Sequence, residues 1–161
     1  MEHLWAPWRM VYIEQTRDKD EKCVLCDKPR EAQDKANLIL FRGLFNFVIM
    51  NAFPYNSGHL LVAPFKHTAY LSSLEAVALH EHIDLVSRCA DILKEVLKPA
   101  GFNIGLNLGR IAGAGIDRHL HSHIVPRWEG DTNFMPVLAD TRVVNQAIAN
   151  TYECLCPHFK P

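Results

Sequence analysis

The sequence predicts an α+β fold in which an antiparallel sheet carries one long helix and short helices. Three observations predict it. Leu38 to Asn51 reads LILFRGLFNFVIMN, with branched and aromatic residues on both sides of Gly43, the pattern of two strands joined by a tight turn. From Ser72 the capping-box pattern SSLE leads into Leu79, Ile83, Val86, Ala90, Leu93 and Leu97, spaced alternately by four and three residues as on one helix face. Strand-like segments return after Pro99 and Gly101 end that helix, so strands, a helix and more strands follow one another without βαβ alternation.

In chain order, residues 1–22 carry Trp5, Trp8 and Tyr12 without a clear period and read as an arm that packs on something. NAFPYNSG breaks the chain after the first strand pair, and HLLVAP reads as a short, largely buried strand ended by Pro64. FNIGLNLG alternates like a strand and runs into the glycine-rich turn AGAG. HLHSHIVP reads as a strand ending at Pro126, Thr141 to Asn150 as a short helix, and residues 151–161 as a Cys-rich tail. At 161 residues the whole chain is expected to form a single domain.

Net charge of −1 and a pI near 6.7 give no basic field of the kind that holds proteins on nucleic acid polymers or anionic membranes, so neither is expected as a partner. No segment approaches the roughly 20 apolar residues of a membrane span, and MEHLWAPWRM lacks the apolar core of a secretory signal. The expected setting is cytoplasmic. Five cysteines, an odd number, suit metal binding or burial better than a disulfide framework.

The histidines organise the functional reading. If HLHSHIVP is a strand, His119, His121 and His123 share one face and Leu120, Ser122 and Ile124 the other. A row of neutral imidazoles can bind metal, attack an electrophile or donate to phosphate oxygens. Alone, the triplet does not choose among these. Cys23 and Cys26 form CVLC, a spacing that lets two thiolates from one turn bind a metal, with a redox pair or two plain buried thiols as the competing uses.

GHLLVAPFKH, the glycine-rich turn after GLNLG and HLHSHIVP together resemble the histidine triad family in residue type, order and spacing, over about Cys23 to Pro136. The flanks WAPWR, CVLC and PRWEGDTNFMPV look most like the branch that contains diadenosine tetraphosphate phosphorylases and related hydrolases. The resemblance implies a nucleotidyl hydrolase or transferase acting at the α-phosphate of dinucleoside polyphosphates, usually a homodimer whose sheets join across the interface. It makes His121 the nucleophile, forming a nucleotidyl-histidine intermediate, and His123 a residue that helps hold the phosphate. Asn107 and the turn backbone at Gly113 and Gly115 match phosphate contacts, Asn51 a ribose contact, and His59 lines the same site. His67 and His119 join Cys23 and Cys26 as the implied ligands of a structural zinc; no organic cofactor is implied.

The chemistry is consistent with that role, since an imidazole with a pKa of about 6.5 is largely neutral at pH 7 and can attack phosphorus. Glycine-turn N–H groups can stabilise charge on non-bridging oxygens. Arg127 and Trp128 follow the triad, where Arg could meet a distal phosphate and a ring could stack on a base, as could Asn133 and Phe134 nearby. Lys66, Arg110 and Arg118 also lie beside the motifs.

Two departures stand out. Gly115 and Ile116 replace a Gln–Ser or Gln–Thr pair found in many relatives, removing a side-chain phosphate or leaving-group contact. Ser122 replaces the usual apolar residue between the second and third histidines. The tail residues Cys154, Cys156 and His158 have no family counterpart and read as ordinary sequence. A nucleoside phosphoramidate hydrolase and a non-catalytic nucleotide-binding zinc module are the alternative functions.

Overall fold

A computed structural model describes residues 23–131 and 147–160. The branched residues flanking Gly43 form β1 (Ile39–Arg42) and β2 (Asn46–Met50), antiparallel, with Phe41 opposite Val48. HLLVAP supplies β3 (Leu60–Pro64), which pairs with β2 along its whole length. β4 (Gly101–Leu106) and β5 (Ser122–Arg127) complete an antiparallel sheet of five strands in the order β1-β2-β3-β5-β4. The histidine run therefore leads into an internal strand, with β3 on one side and β4 on the other.

The described residues form one core cluster on each face of the sheet. Helix α3 (Ala76–Leu97) lays Leu85, Val86, Cys89, Ile92 and Leu93 on Val48, Met50, Leu60, Val62 and Ile124. Helix α4 (Ile148–Leu155) and the 3₁₀ turn Cys156–Phe159 extend that core with Tyr152, Leu155 and Phe159. The Tyr152 hydroxyl, buried with its ring, donates to the Ile39 carbonyl at 3.0 Å. On the opposite face, among the described residues, Phe47, Ile49, Leu61 and Ala63 pack with Leu25 of α1 (Val24–Arg30), Ile39 and the partly buried Cys23, Leu38 and Ile116; α2 (Asp34–Asn37) follows α1. That second face carries His123, beside Leu61.

Several expectations change in the structure. Ser72 lies in a 3₁₀ turn (Leu71–Ser73), and α3 starts later, with Glu75 as an N-cap that makes no side-chain capping bond. The buried stripe of α3 is rotated from the expected one: His82 and Cys89 are inside, and Ile83 is 57% exposed. Strand β5 begins at Ser122, so His119 and His121 precede it. It also runs through Pro126 to Arg127; the β3 ladder has stopped at Ile124, leaving an edge that tolerates proline. Most of the expected tail is α4 and its 3₁₀ extension, because Tyr152, Leu155 and Phe159 belong to the core. The arm at 1–22, Asn133, Phe134 and residues 141–146 of the expected helix lie outside the described residues.

Candidate functional site

The first turn of α1 folds CVLC so that the amides of Cys26 and Asp27 both donate to the Cys23 carbonyl, at 2.8 and 2.9 Å. Both sulfurs then face one point. His119 Nδ1 lies 3.2 Å from Cys23 Sγ and 3.4 Å from Cys26 Sγ, and His67 Nδ1 lies 3.2 Å from Cys26 Sγ. All four donor atoms fall within 4.8 Å of one another. Around a tetrahedral ion with sulfur and nitrogen ligands, neighbouring donors sit about 3.6 Å apart, so the set fits such an ion. His119 donates Nε2–H to the Pro64 carbonyl at 2.8 Å, which fixes the tautomer whose Nδ1 carries the lone pair. Burial first, and then the Cys23 thiol beside it, push the Cys26 thiol up to about 11, the opposite of what a coordinated cation does to a thiol.

Two residues on, His121 uses the opposite nitrogen. Its Nδ1 lies 2.7 Å from the His119 carbonyl, so Nδ1–H donates and Nε2 keeps the lone pair. The residue is 5% exposed, and burial pushes its imidazole below the ordinary value against the opposing effect of that hydrogen bond. The His121 and His123 ring centroids are 4.9 Å apart.

His59 enters through a turn that favours glycine: Gly58 has φ +76°, and a Cβ there would lie 2.5 Å from Leu97 Cδ1, which would have to shift. The Tyr55 amide donates to His59 Nδ1 at 3.1 Å, so His59 Nε2–H donates to His123 Nδ1 at 3.0 Å. A neutral His123 then carries its proton on Nε2. One turn and one strand thus assign acceptor and donor nitrogens to adjacent rings.

The remaining expected residues take varied places. Asn51 closes a local turn, its Oδ1 accepting the Phe53 amide at 2.9 Å, while its Nδ2 lies 3.3 Å from His59 Nδ1. Asn107 donates to the Gly113 carbonyl at 3.4 Å, across the mouth of the glycine turn. The Gly113 amide donates to the Arg110 carbonyl at 2.9 Å and so serves the turn, whereas Gly115 lies exposed further along it. Arg127 is clamped by Asp131 at 2.6 and 2.8 Å and donates to Asn103 Oδ1 at 2.7 Å. Arg127 in turn holds the Asp131 carboxyl well below the usual range. Trp128 is half-buried, its amide also on Asp131. Lys66 donates to the Ser73 carbonyl at 2.6 Å, and Arg110 approaches Asp117 at 4.0 Å.

The HIT domain family profile matches residues 31–130, a stretch that holds β1 to β5 and the triad. The chain belongs to the histidine triad family. Beyond the profile, it is 34% identical to an AP-4-A phosphorylase of Mycobacterium tuberculosis over an alignment covering 99% of this chain and 85% of that protein. The fold is similar to that of a Zn-bound histidine triad family protein from Mycobacterium smegmatis, with a TM-score of 0.67 and 24% identity over 86% of this chain and 93% of that one. A hypothetical histidine triad nucleotide-binding protein from Sulfolobus tokodaii gives 0.65 at 28% identity over 85% and 89%.

Within this HIT domain the structure adds residues that the sequence reading did not single out. Tyr55 stacks on His123 with centroids 5.9 Å apart, besides holding His59 through its amide. Asp131 gathers Arg127, the Trp128 amide and Asn56 Nδ2. The one available signal for Asp131 was its place four residues after Arg127. His82 gave none, because a histidine inside a helix reads as solvent-facing.

Proposed function

We propose that this chain is an enzyme that transfers a nucleotidyl group from a dinucleoside polyphosphate, of the diadenosine tetraphosphate kind, to phosphate or water through His121. The observation that carries the reading is the 2.7 Å hydrogen bond from His121 Nδ1 to the His119 carbonyl, which leaves a buried, neutral imidazole with its lone pair on Nε2. Nε2 attacks the α-phosphorus, the bond to the bridging oxygen breaks, and the remaining polyphosphate leaves as ATP. His123, protonated on Nε2 by the bond from His59, donates to a phosphate oxygen. In the second step an oxygen of inorganic phosphate or of water displaces His121, releasing ADP or AMP.

In this reading Asn107 and the turn at Gly113 and Gly115 hold phosphate oxygens, Asn51 and His59 line the ribose side, and Trp128 offers a ring to a base. The similarity to an AP-4-A phosphorylase supports a dinucleotide substrate and favours phosphate as acceptor. One observation favours water: Arg127 is neutralised by Asp131 and Lys66 binds the Ser73 carbonyl, so an acceptor-phosphate pocket built from them must first exchange those contacts. Diadenosine tetraphosphate incubated with the enzyme and millimolar phosphate is expected to give ADP and ATP. AMP and ATP alone would reject phosphorolysis and leave hydrolysis; no turnover would leave the binding-module alternative, and preferential cleavage of phosphoramidates the other.

Cys23, Cys26, His67 and His119 are proposed to hold one zinc ion. Their closed Cys₂His₂ set leaves no open position, so the metal's contribution is to tie α1 to the segment that presents His121. A homodimer joined through β4 belongs to the same reading: among the described residues β4 is an edge strand whose Asn103, Ile104 and Gly105 are exposed. No described helix is long and apolar enough to cross a membrane, and a cytoplasmic setting is part of the proposal.

A further inference from the structure

On the side of β5 away from His121 and His123, Ser122 is followed by Ile124 in the core against α3. Ser122 is 4% exposed, and its hydroxyl lies 2.7 Å from Nε2 of the fully buried His82. The donors along this network are fixed by elimination. Asn46 gives its amide hydrogens to the Ala78 carbonyl and Glu81 Oε2, both at 2.9 Å, so its Oδ1 accepts His82 Nδ1–H at 2.9 Å. Nε2 of the neutral ring is then an acceptor, and Ser122 O–H donates to it. Glu81, which ends the network, also accepts the amides of Leu44, Phe45 and Asn46 at 2.6, 2.8 and 2.8 Å, so the β1–β2 turn is fastened to the same helix.

Replacing both members of a buried hydrogen-bonded pair by apolar groups of the same shape is often neutral for stability. The core alone therefore gives little reason for a serine and a histidine here. Their position gives one. Ser122 is the first residue of β5 and is paired on both sides, with Val62 and with Leu106. The next backbone anchor is the Leu120 amide on the Thr68 carbonyl at 2.6 Å, and His121 sits between the two. Its bond to the His119 carbonyl depends on the torsions of this short span.

We propose that His82 and Ser122 are positioning residues: their hydrogen bond pins the first rung of β5 to α3, so that His121 keeps the tautomer and the spacing from His123 that nucleotidyl transfer requires. This rests on the reading of His121 as nucleophile. Neither residue touches the reacting atoms.

Thr and Val have nearly the same volume and differ by the hydroxyl, so Ser122→Thr and Ser122→Val isolate the bond. With diadenosine tetraphosphate as substrate, Ser122→Thr should keep kcat within about threefold, and Ser122→Val should lose about ten- to a hundredfold in kcat with KM within about twofold. If the Val variant does not fold, Ser122→Ala replaces it with the same expectation. Equal kcat in the Thr and Val (or wild-type and Ala) proteins, with only Tm lowered, would overturn the positioning role. His121→Asn is run in parallel: retained turnover there sinks the nucleophile reading instead. Nitrogen-15 spectra of the imidazoles decide the pinning independently of activity. A single His121 tautomer with unprotonated Nε2 is expected in wild type and Ser122→Thr and a mixture in Ser122→Val; an unchanged single tautomer in Ser122→Val would overturn the proposal.

Discussion

His119 and His121 are two residues apart, both buried, and turned to opposite tautomers by the carbonyl that each one meets. His119 gives Nε2–H to Pro64 and aims Nδ1 at two sulfurs; His121 gives Nδ1–H to His119 and keeps Nε2. Residue type does not decide the role of either. The backbone acceptor chooses the tautomer, and the tautomer decides which nitrogen keeps the lone pair that the proposed function gives to a metal in His119 and to phosphorus in His121.

The comparison is tested most severely at His121. His121→Asn should lower kcat by at least about a thousandfold while nucleotide binding survives, because the nucleophile contributes bond-making and few ground-state contacts. His123→Asn should cost less, since it removes a donor to phosphate and leaves the nucleophile; steady-state kinetics and a binding titration on both variants would check this. A larger loss at His123 would reverse the assignment of the two rings.

The metal end predicts a different signature. Protein never exposed to chelator should hold about one zinc per chain, and Cys23→Ser should release it and lower Tm by about 10 °C or more, with activity falling only as the fold loosens. Metal analysis and a thermal melt decide it; Cys23→Ser protein that keeps its zinc would remove Cys23 from the site.

The smallest effect concerns the helix that backs the triad. Burial opposes the charge on Glu81, but hydrogen bonds from Asn46 and from the amides of Leu44, Phe45 and Asn46 outweigh it and hold its carboxyl below the ordinary carboxylate range. A depressed pKa contributes stability above the unfolded value, about 4.3, that is lost as pH falls through the folded value. Glu81→Gln should therefore lower Tm by about 5 °C near pH 7, and the gap to wild type should close as pH drops below about 4. A gap that stays constant with pH would mean that the charge is not what fastens the turn.

The same contrast explains what could be read from the sequence. The strand pair around Gly43 and the long helix were legible from periodicity, and the gathering of Cys23, Cys26, His67 and His119 from the CVLC spacing together with the family resemblance, which alone pointed to His67 and His119. The exact face of α3 was not: its inner stripe contains His82 and Cys89, residue types that disguise a core, while Ile83 faces out. Nor was the start of β5, since the pull of His119 toward the cysteines and Pro64 is a tertiary event invisible in an alternating pattern. Arg127 read as a cation beside the site because adjacency in sequence does not reveal that Asp131 folds back on it. Tautomers were illegible altogether, as they depend on which carbonyl lies within reach.

The central claim, that Nε2 of His121 forms the bond to phosphorus, is tested most directly by quenching a single turnover of diadenosine tetraphosphate and mapping the modified residue by mass spectrometry under conditions that preserve phosphoramidates. A nucleoside monophosphate on His121, formed and lost at rates matching turnover, is the predicted result. The same mass on His123 or His59, or turnover at full rate with no adduct, would contradict it.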